Sequence, residues 1–223
     1  MQAAILFNNS QLVTGFQPLE KLVSPKAKMQ DETRKEDDAL VARTQSGDAS
    51  AFDELVIKYS PRIYGLVYNM TSNNEDTNDL LQEIFAKAFR AIRGFRGKSS
   101  FSTWLHSIAV NMTINFVKKR GRHYKISLDD VDAGAERDKE LVELASNATP
   151  VRENDLRELQ QRLNDAMMKL SEDHRAVVTM HDIQEMPHAE IAKIMGVSEG
   201  TVRSRLFYAH QQMQNYLEEF RKR

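Results

Sequence analysis

The residues best suited to chemistry lie near the C-terminus, in Pro187-His-Ala-Glu-Ile-Ala-Lys-Ile-Met-Gly-Val-Ser-Glu-Gly-Thr-Val-Arg-Ser-Arg-Leu-Phe-Tyr208. Their chemistry is recognition, not catalysis. The spacing predicts helix, tight turn, helix. Pro187 suits a first helical turn, where its missing N–H costs nothing. Gly196 falls where the turn needs positive φ. Ile191, Met195 and Val202 fill the angle between the helices, and Ser198 caps the second one. That helix turns Val202, Leu206, Ala209, Met213 and Leu217 inward. It leaves Thr201, Ser204, Arg205 and Tyr208 on one outer face, with Arg203 and Phe207 at its edges. Short polar and Arg side chains at the start of a second helix suit major-groove readout. Ser198 and Thr201 suit phosphate oxygens.

A second candidate surface is basic and aromatic. Phe95, Phe101 and Trp104 alternate with Arg93, Arg96 and Lys98 around a loop bracketed by Gly94 and Gly97. Rings beside cations suit unstacked bases, since stacking contributes about 1–3 kcal/mol per base. From Lys87 to Ile126 there are ten Lys or Arg and no acid, in a chain that is 28% charged. From Asp129 to Asp165 eleven acids face five bases. The chain's net charge of −1 therefore hides a segregation that points to a polyanion partner for the basic block.

Other chemistries drop out. The chain has no cysteine, which excludes disulfides, thiolate metal sites and cysteine nucleophiles. Its six histidines are scattered, with no H-E-x-x-H and no paired carboxylates, and no glycine-rich phosphate loop is present. We expect no catalytic residue, no metal and no cofactor. No run of 18 apolar residues occurs, and the N-terminus lacks the early positive charge of a secretory signal, so we expect a cytoplasmic chain without membrane insertion.

The elements that must position these residues read as helices throughout, an all-α fold of two compact helical domains joined by a flexible acidic linker. Residues 1–35 read as a poorly ordered extension, within which Met29 is a candidate start. An intact mass that retains residue 1 would dispose of that start. A first helix runs from about Asp37 to Ser46. Asp48 caps a second with the stripe Phe52, Leu55, Val56, Tyr59, Ile63, Leu66, Val67 and Met70, which Pro61 is expected to kink. A third covers about Glu75–Arg93, with Asp79, Gln82 and Glu83 outward. A fourth covers about Phe101–Arg120. It buries Leu105, Ile108, Ala109, Met112 and Phe116, and opposes to them Ser107, Asn111, Asn115, Lys118 and Arg122. Residues 36–122 form the first domain, 123–151 the linker and 152–223 the second. The second domain opens on an amphipathic helix, followed by one over Glu172–Ile183 capped by Ser171.

These residues resemble the extracytoplasmic-function sigma factors of bacterial RNA polymerase, of the envelope-stress sigma-E type. Asp79-Leu-Leu-Gln-Glu-Ile-Phe-Ala-Lys-Ala-Phe-Arg90 is similar to the family's polymerase-binding helix. Phe95–Asn111, continuing to Lys118-Lys-Arg120, is similar to its −10 element. Glu190-Ile-Ala with Gly200–Phe207 is similar to its −35 reader. The resemblance implies a sigma-2 and a sigma-4 domain in a non-catalytic factor that gives polymerase its promoter recognition. It implies that Asp79, Leu80, Gln82, Glu83 and Phe85 dock on the clamp helices of the largest subunit, and that the flap of the second-largest subunit is a further contact. Phe95, Arg96, Lys98, Ser102, Trp104 and Asn111 would capture the melted −10 strand, with Lys118, Lys119 and Arg120 on phosphates. Arg175, Ser198, Glu199, Gly200, Thr201, Arg203, Ser204, Phe207 and Tyr208 would read or clamp the −35 duplex. An anti-sigma protein is the implied regulator. The alternatives are a helix–turn–helix regulator with an N-terminal sensing domain, and an all-α adaptor. The first needs a ligand cavity or dimer seam in residues 79–120. The second has no use for the polar face of the last helix.

Overall fold

A computed structural model describes the backbone of residues 25–128 and 150–221, and the side chains of residues 31–120 and 158–218. The N-terminal extension is thus described only from Pro25, and most of the acidic linker lies outside the described residues. Among those described there is no strand, and no helix is long and apolar enough to cross a membrane.

The N-terminal half is α1 (Pro25–Gln45), α2 (Ala49–Thr71), α3 (Asn74–Ala91) and α4 (Phe101–Leu128), with a single 3-10 turn at Ile92–Gly94. The first helix thus begins well before the expected Asp37. Local chemistry sets most other boundaries. The Asp48 carboxylate accepts from the Ser50 and Ala51 amides and starts α2. Asn73 caps α3, and Glu75 and Asp76 lie at its positive end. The stripe from Phe52 to Met70 is buried at helical spacing, apart from half-buried Val56. Pro61 does not interrupt α2. It is exposed, one turn beyond exposed Ile57, so the carbonyl it leaves without an amide partner is on the solvent side.

The C-terminal half is α5 (Pro150–Lys169), α6 (Glu172–Val178), α7 (His188–Met195) and α8 (Glu199–Arg221). Ser171 caps α6 as expected, but the helix expected over 172–183 gives way at Thr179 to a π-turn that ends at Ile183. Gly196 takes φ +65 and closes α7, and Ser198 Oγ accepts from the Thr201 amide (3.1 Å) to start α8.

The two halves share one apolar core. The helix α4 packs on α2 and α3 through Phe101, Leu105 and Ala109, all fully buried. It also packs on α6 and α7. Thr103, His106, Val110 and Ile114 form a second buried stripe on its side, at the same helical spacing.

Candidate nucleic-acid interfaces

The aromatic loop is held from behind. Phe101 is fully buried at the start of α4. Trp104 lies 5.7 Å from it and Phe95 makes an edge-on contact at 6.3 Å, while Phe95 and Trp104 are 5.1 Å apart. The Gln45 amide donates to the carbonyls of Ile92 (2.8 Å) and Phe95 (2.9 Å), fastening the loop to α1. Ser100 Oγ accepts from the Thr103 amide (3.1 Å) and caps α4. Gly97 turns the chain at φ +66. The result is a shallow hollow of about 360 Å³ lined by Gly94, Phe95, Arg96, Lys98, Ser99 and Trp104, with both cations exposed. Gln45 was not found from sequence; nothing local in it signals a partner 47 residues away.

Along α4 the polar stripe is open. Asn111, Asn115, Lys118, Lys119 and Arg120 are exposed and Ser107 is half-buried. Arg120 forms an ion pair with Asp76 at the start of α3. Ser102 is half-buried, and its carbonyl is taken by His106.

On α3, Asp79, Gln82 and Glu83 form an exposed face as expected. Leu80 is 3% exposed and Phe85 7%, so these two pack inward and support that face from beneath.

On α8, Glu199, Gly200, Arg203, Ser204, Phe207 and Tyr208 are exposed, with Phe207 and Tyr208 64% and 54% accessible. Their rings meet edge to face at 5.4 Å. Thr201 is half-buried and shares its hydroxyl with Ser198 (2.9 Å), whose oxygen also serves as the cap. Arg205 departs from the expected outer face. Its guanidinium turns back to Asp173 (3.1 Å) and to the Met195 sulfur, joining α8 to α6 and α7.

Arg175 departs further. It is 4% exposed and donates to the carbonyls of Met167, Met168 and Leu170, at the end of α5, and to Met70 of α2 (2.6 Å). The last carbonyls of a helix lack internal amide partners. Arg175 satisfies three near the end of α5, and in this arrangement its charge does not face a phosphate. Burial disfavours that charge, with Glu172 opposing the effect.

The Asp182 carboxylate in the π-turn bridges His181 Nδ1 and His210 Nε2, each at 2.6 Å, and so joins the turn to α8. Burial would raise this carboxyl, but hydrogen bonds from both imidazoles hold it below the usual carboxylate range. His188 stacks on His181 at 4.8 Å. Among the described residues no group of His, Asp or Glu is arranged to hold a metal ion.

Residues 55–123 match the family model of Sigma-70 region 2, and residues 160–213 that of Sigma-70 region 4. The chain is 37% identical over 182 residues to the ECF RNA polymerase sigma-E factor of Haemophilus influenzae, covering 82% of this chain and 95% of that protein. It is 36% identical over 190 residues to the RNA polymerase sigma-H factor of Pseudomonas aeruginosa, covering 83% and 96%. Its fold is similar to that of the sigma factor RpoE from Bartonella quintana, solved with the anti-sigma factor NepR. That match has a TM-score of 0.58 and 24% identity over 75% of this chain and 96% of the other.

Proposed function

The chain belongs to the extracytoplasmic-function branch of the sigma-70 family, and from that premise we propose how its surfaces divide the work of promoter recognition. It is an RNA polymerase sigma factor: it binds core polymerase and directs initiation at −10 and −35 elements. We read residues 36–122 as the sigma-2 domain and 152–223 as the sigma-4 domain.

The exposed start of α8 enters the major groove of the −35 element. Arg203 and Ser204 reach base edges, Glu199 meets a cytosine amino group, and Phe207 and Tyr208 lie along the duplex edge. The hollow beside Phe95 and Trp104 takes an unstacked base of the melted −10 strand. Arg96, Lys98, Lys118 and Lys119 meet its phosphates. The Asp79, Gln82 and Glu83 face docks on the clamp helices of the largest polymerase subunit, and the sigma-4 domain contacts the flap of the second-largest. The factor supplies positioning and strand capture, and the chemistry of RNA synthesis stays with polymerase. We propose control by an anti-sigma protein on the same footing.

One observation carries this reading. A single chain presents an exposed recognition helix and, separately, an aromatic hollow rimmed by cations with no acid among them. A duplex-only regulator has no use for the second. Run-off transcription by core polymerase on a pool of random promoters tests it. We expect specific transcripts that share a −35/−10 pair. Duplex binding by the protein alone, with core polymerase left inactive, would overturn it.

A further inference from the structure

The loop that carries the −10 hollow does little to hold itself. Arg96, Gly97 and Lys98 are exposed, and Phe95 is half-buried. Its first turn is closed by one backbone bond, from the Phe95 amide to the Ile92 carbonyl (3.0 Å). A second tie comes from Gln45, the last residue of α1. Its amide nitrogen donates to the Ile92 carbonyl (2.8 Å) and to the Phe95 carbonyl (2.9 Å). Among the described residues, no other side chain from outside residues 92–104 is hydrogen-bonded to this loop.

Gln45 stands at the end of a braced helix. Arg43, two residues earlier, pairs with Asp48 (2.7 Å) and Glu54 (3.2 Å) at the start of α2. Asp37, 3% exposed, pairs with Lys58 of α2 (2.8 Å). The post to which the loop is tied is therefore fixed. The amide has one workable orientation, because rotating it would set its oxygen against two carbonyls. It grips both ends of the Ile92–Phe95 turn, and so holds the backbone that presents the Phe95 ring to Trp104, 5.1 Å away.

We propose, on the −10 reading above, that Gln45 is a positioning residue for base capture: it touches no nucleotide, and it keeps the Phe95 ring where an unstacked base can lie against it. A base that stacks on an unfixed ring loses affinity to the ordering of that ring. Phosphate contacts carry no such demand. Arg96 and Lys98 are exposed, flexible side chains that can follow the strand as the loop shifts. Gln45 thus governs the part of the affinity that depends on the base, and not the part that depends on the sugar-phosphate backbone.

The test separates these two parts. Core polymerase loaded with the full chain is titrated with a fluorescent, pre-melted promoter from the run-off selection. It is also titrated with copies in which each −10 base of the non-template strand is removed in turn. The ratio of the two affinities cancels any change in the charge of the protein. Wild type should lose about tenfold or more when the captured base is removed. Gln45→Ala should lose about threefold or less there, with its affinity for the abasic copy unchanged. Gln45→Lys keeps donors and should retain most of the wild-type ratio. Gln45→Glu offers only acceptors and should fall to the alanine value or below. All three variants should unfold in urea within about 0.5 M of the wild-type midpoint, because the carbonyls left bare lie at or near the surface. An unchanged ratio in Gln45→Ala, a lysine variant no better than alanine, or a glutamate variant equal to wild type would overturn the proposal. So would a lost ratio in Gln45→Ala that comes with a larger fall in the urea midpoint, since Gln45 would then support the fold as a whole. A wild type indifferent to the removal of every base would overturn the base-capture reading, and the role of Gln45 with it.

Discussion

The two nucleic-acid surfaces are made by opposite means. The N-terminal one borrows its rings from the core: Phe101 is fully buried, and Phe95 and Trp104 lean on it. The C-terminal one sets its side chains out in water on a helix whose other face is buried, and Phe207 is 64% exposed. Affinity and stability are therefore coupled in the first surface and separable in the second. A base platform has to be rigid to stack, and packing against the core makes it rigid. A groove reader needs only a helix of the right pitch, which Val202, Leu206 and Ala209 hold from behind.

The largest expected effect tests that coupling. Phe101→Ala should cost about 3–5 kcal/mol of folding stability and abolish single-strand binding, both read on the purified protein by denaturant unfolding and fluorescence titration. Phe207→Ala should leave stability within about 0.5 kcal/mol and weaken only duplex binding. Equal stability losses would break the contrast.

Next comes Arg175. If its guanidinium serves carbonyls rather than phosphate, Arg175→Ala should lower stability by about 3 kcal/mol in urea melts, because buried acceptors are left bare. Arg175→Lys should not rescue it, since a single ammonium cannot serve the same set of carbonyls. Unchanged stability with weakened −35 binding would return Arg175 to the DNA face.

A third prediction concerns acid. His106 ordinarily titrates near 6.5. In the folded chain burial pulls it down to about 4, with hydrogen bonds to the Ser102 carbonyl and, once protonated, to the Gln184 side chain working against the shift and the Arg62 cation adding to it. Above pH 6.5 the imidazole is neutral whether folded or unfolded, and its contribution to stability is at full strength. Between 6.5 and 4 the unfolded chain takes up a proton that the folded chain resists, so stability falls as pH falls. At pH 5 the loss is about 2 kcal/mol. Urea melts at pH 7 and pH 5 should show that loss, and His106→Phe should flatten the profile.

Two smaller effects separate the surfaces by partner. Arg203→Ala should weaken −35 duplex binding by about 1–3 kcal/mol in a titration at fixed salt, without altering single-strand affinity. Gln82→Ala should weaken polymerase binding by about 1 kcal/mol and leave both DNA titrations unchanged. If both substitutions weakened DNA binding alone, the assignment of α3 to polymerase would fail.

What could be read from the sequence was local. The caps at Asp48, Ser171 and Ser198 and the turn at Gly196 depend on residues two or three apart, and all four form as expected. So does the α2 stripe, whose period is set by a single helix. What could not be read depends on distant partners. Arg205 is drawn off the outer face by Asp173, 32 residues earlier. The family resemblance alone places Arg175 on the −35 duplex, but the end of α5 and the last turn of α2 claim it. The second stripe of α4 is present in the spacing of Thr103, His106, Val110 and Ile114. It has meaning only once a partner 87 residues along the chain arrives at Thr103.

The bare atoms at His106 and Gln184 bear on how much stability the chain leaves unused. His106 Nε2 and Gln184 Oε1 are both buried without a hydrogen bond. Such atoms cost about 1–3 kcal/mol each, so a chain with an apolar side chain of similar shape at both positions would be steadier than the natural one, and its urea midpoint would rise.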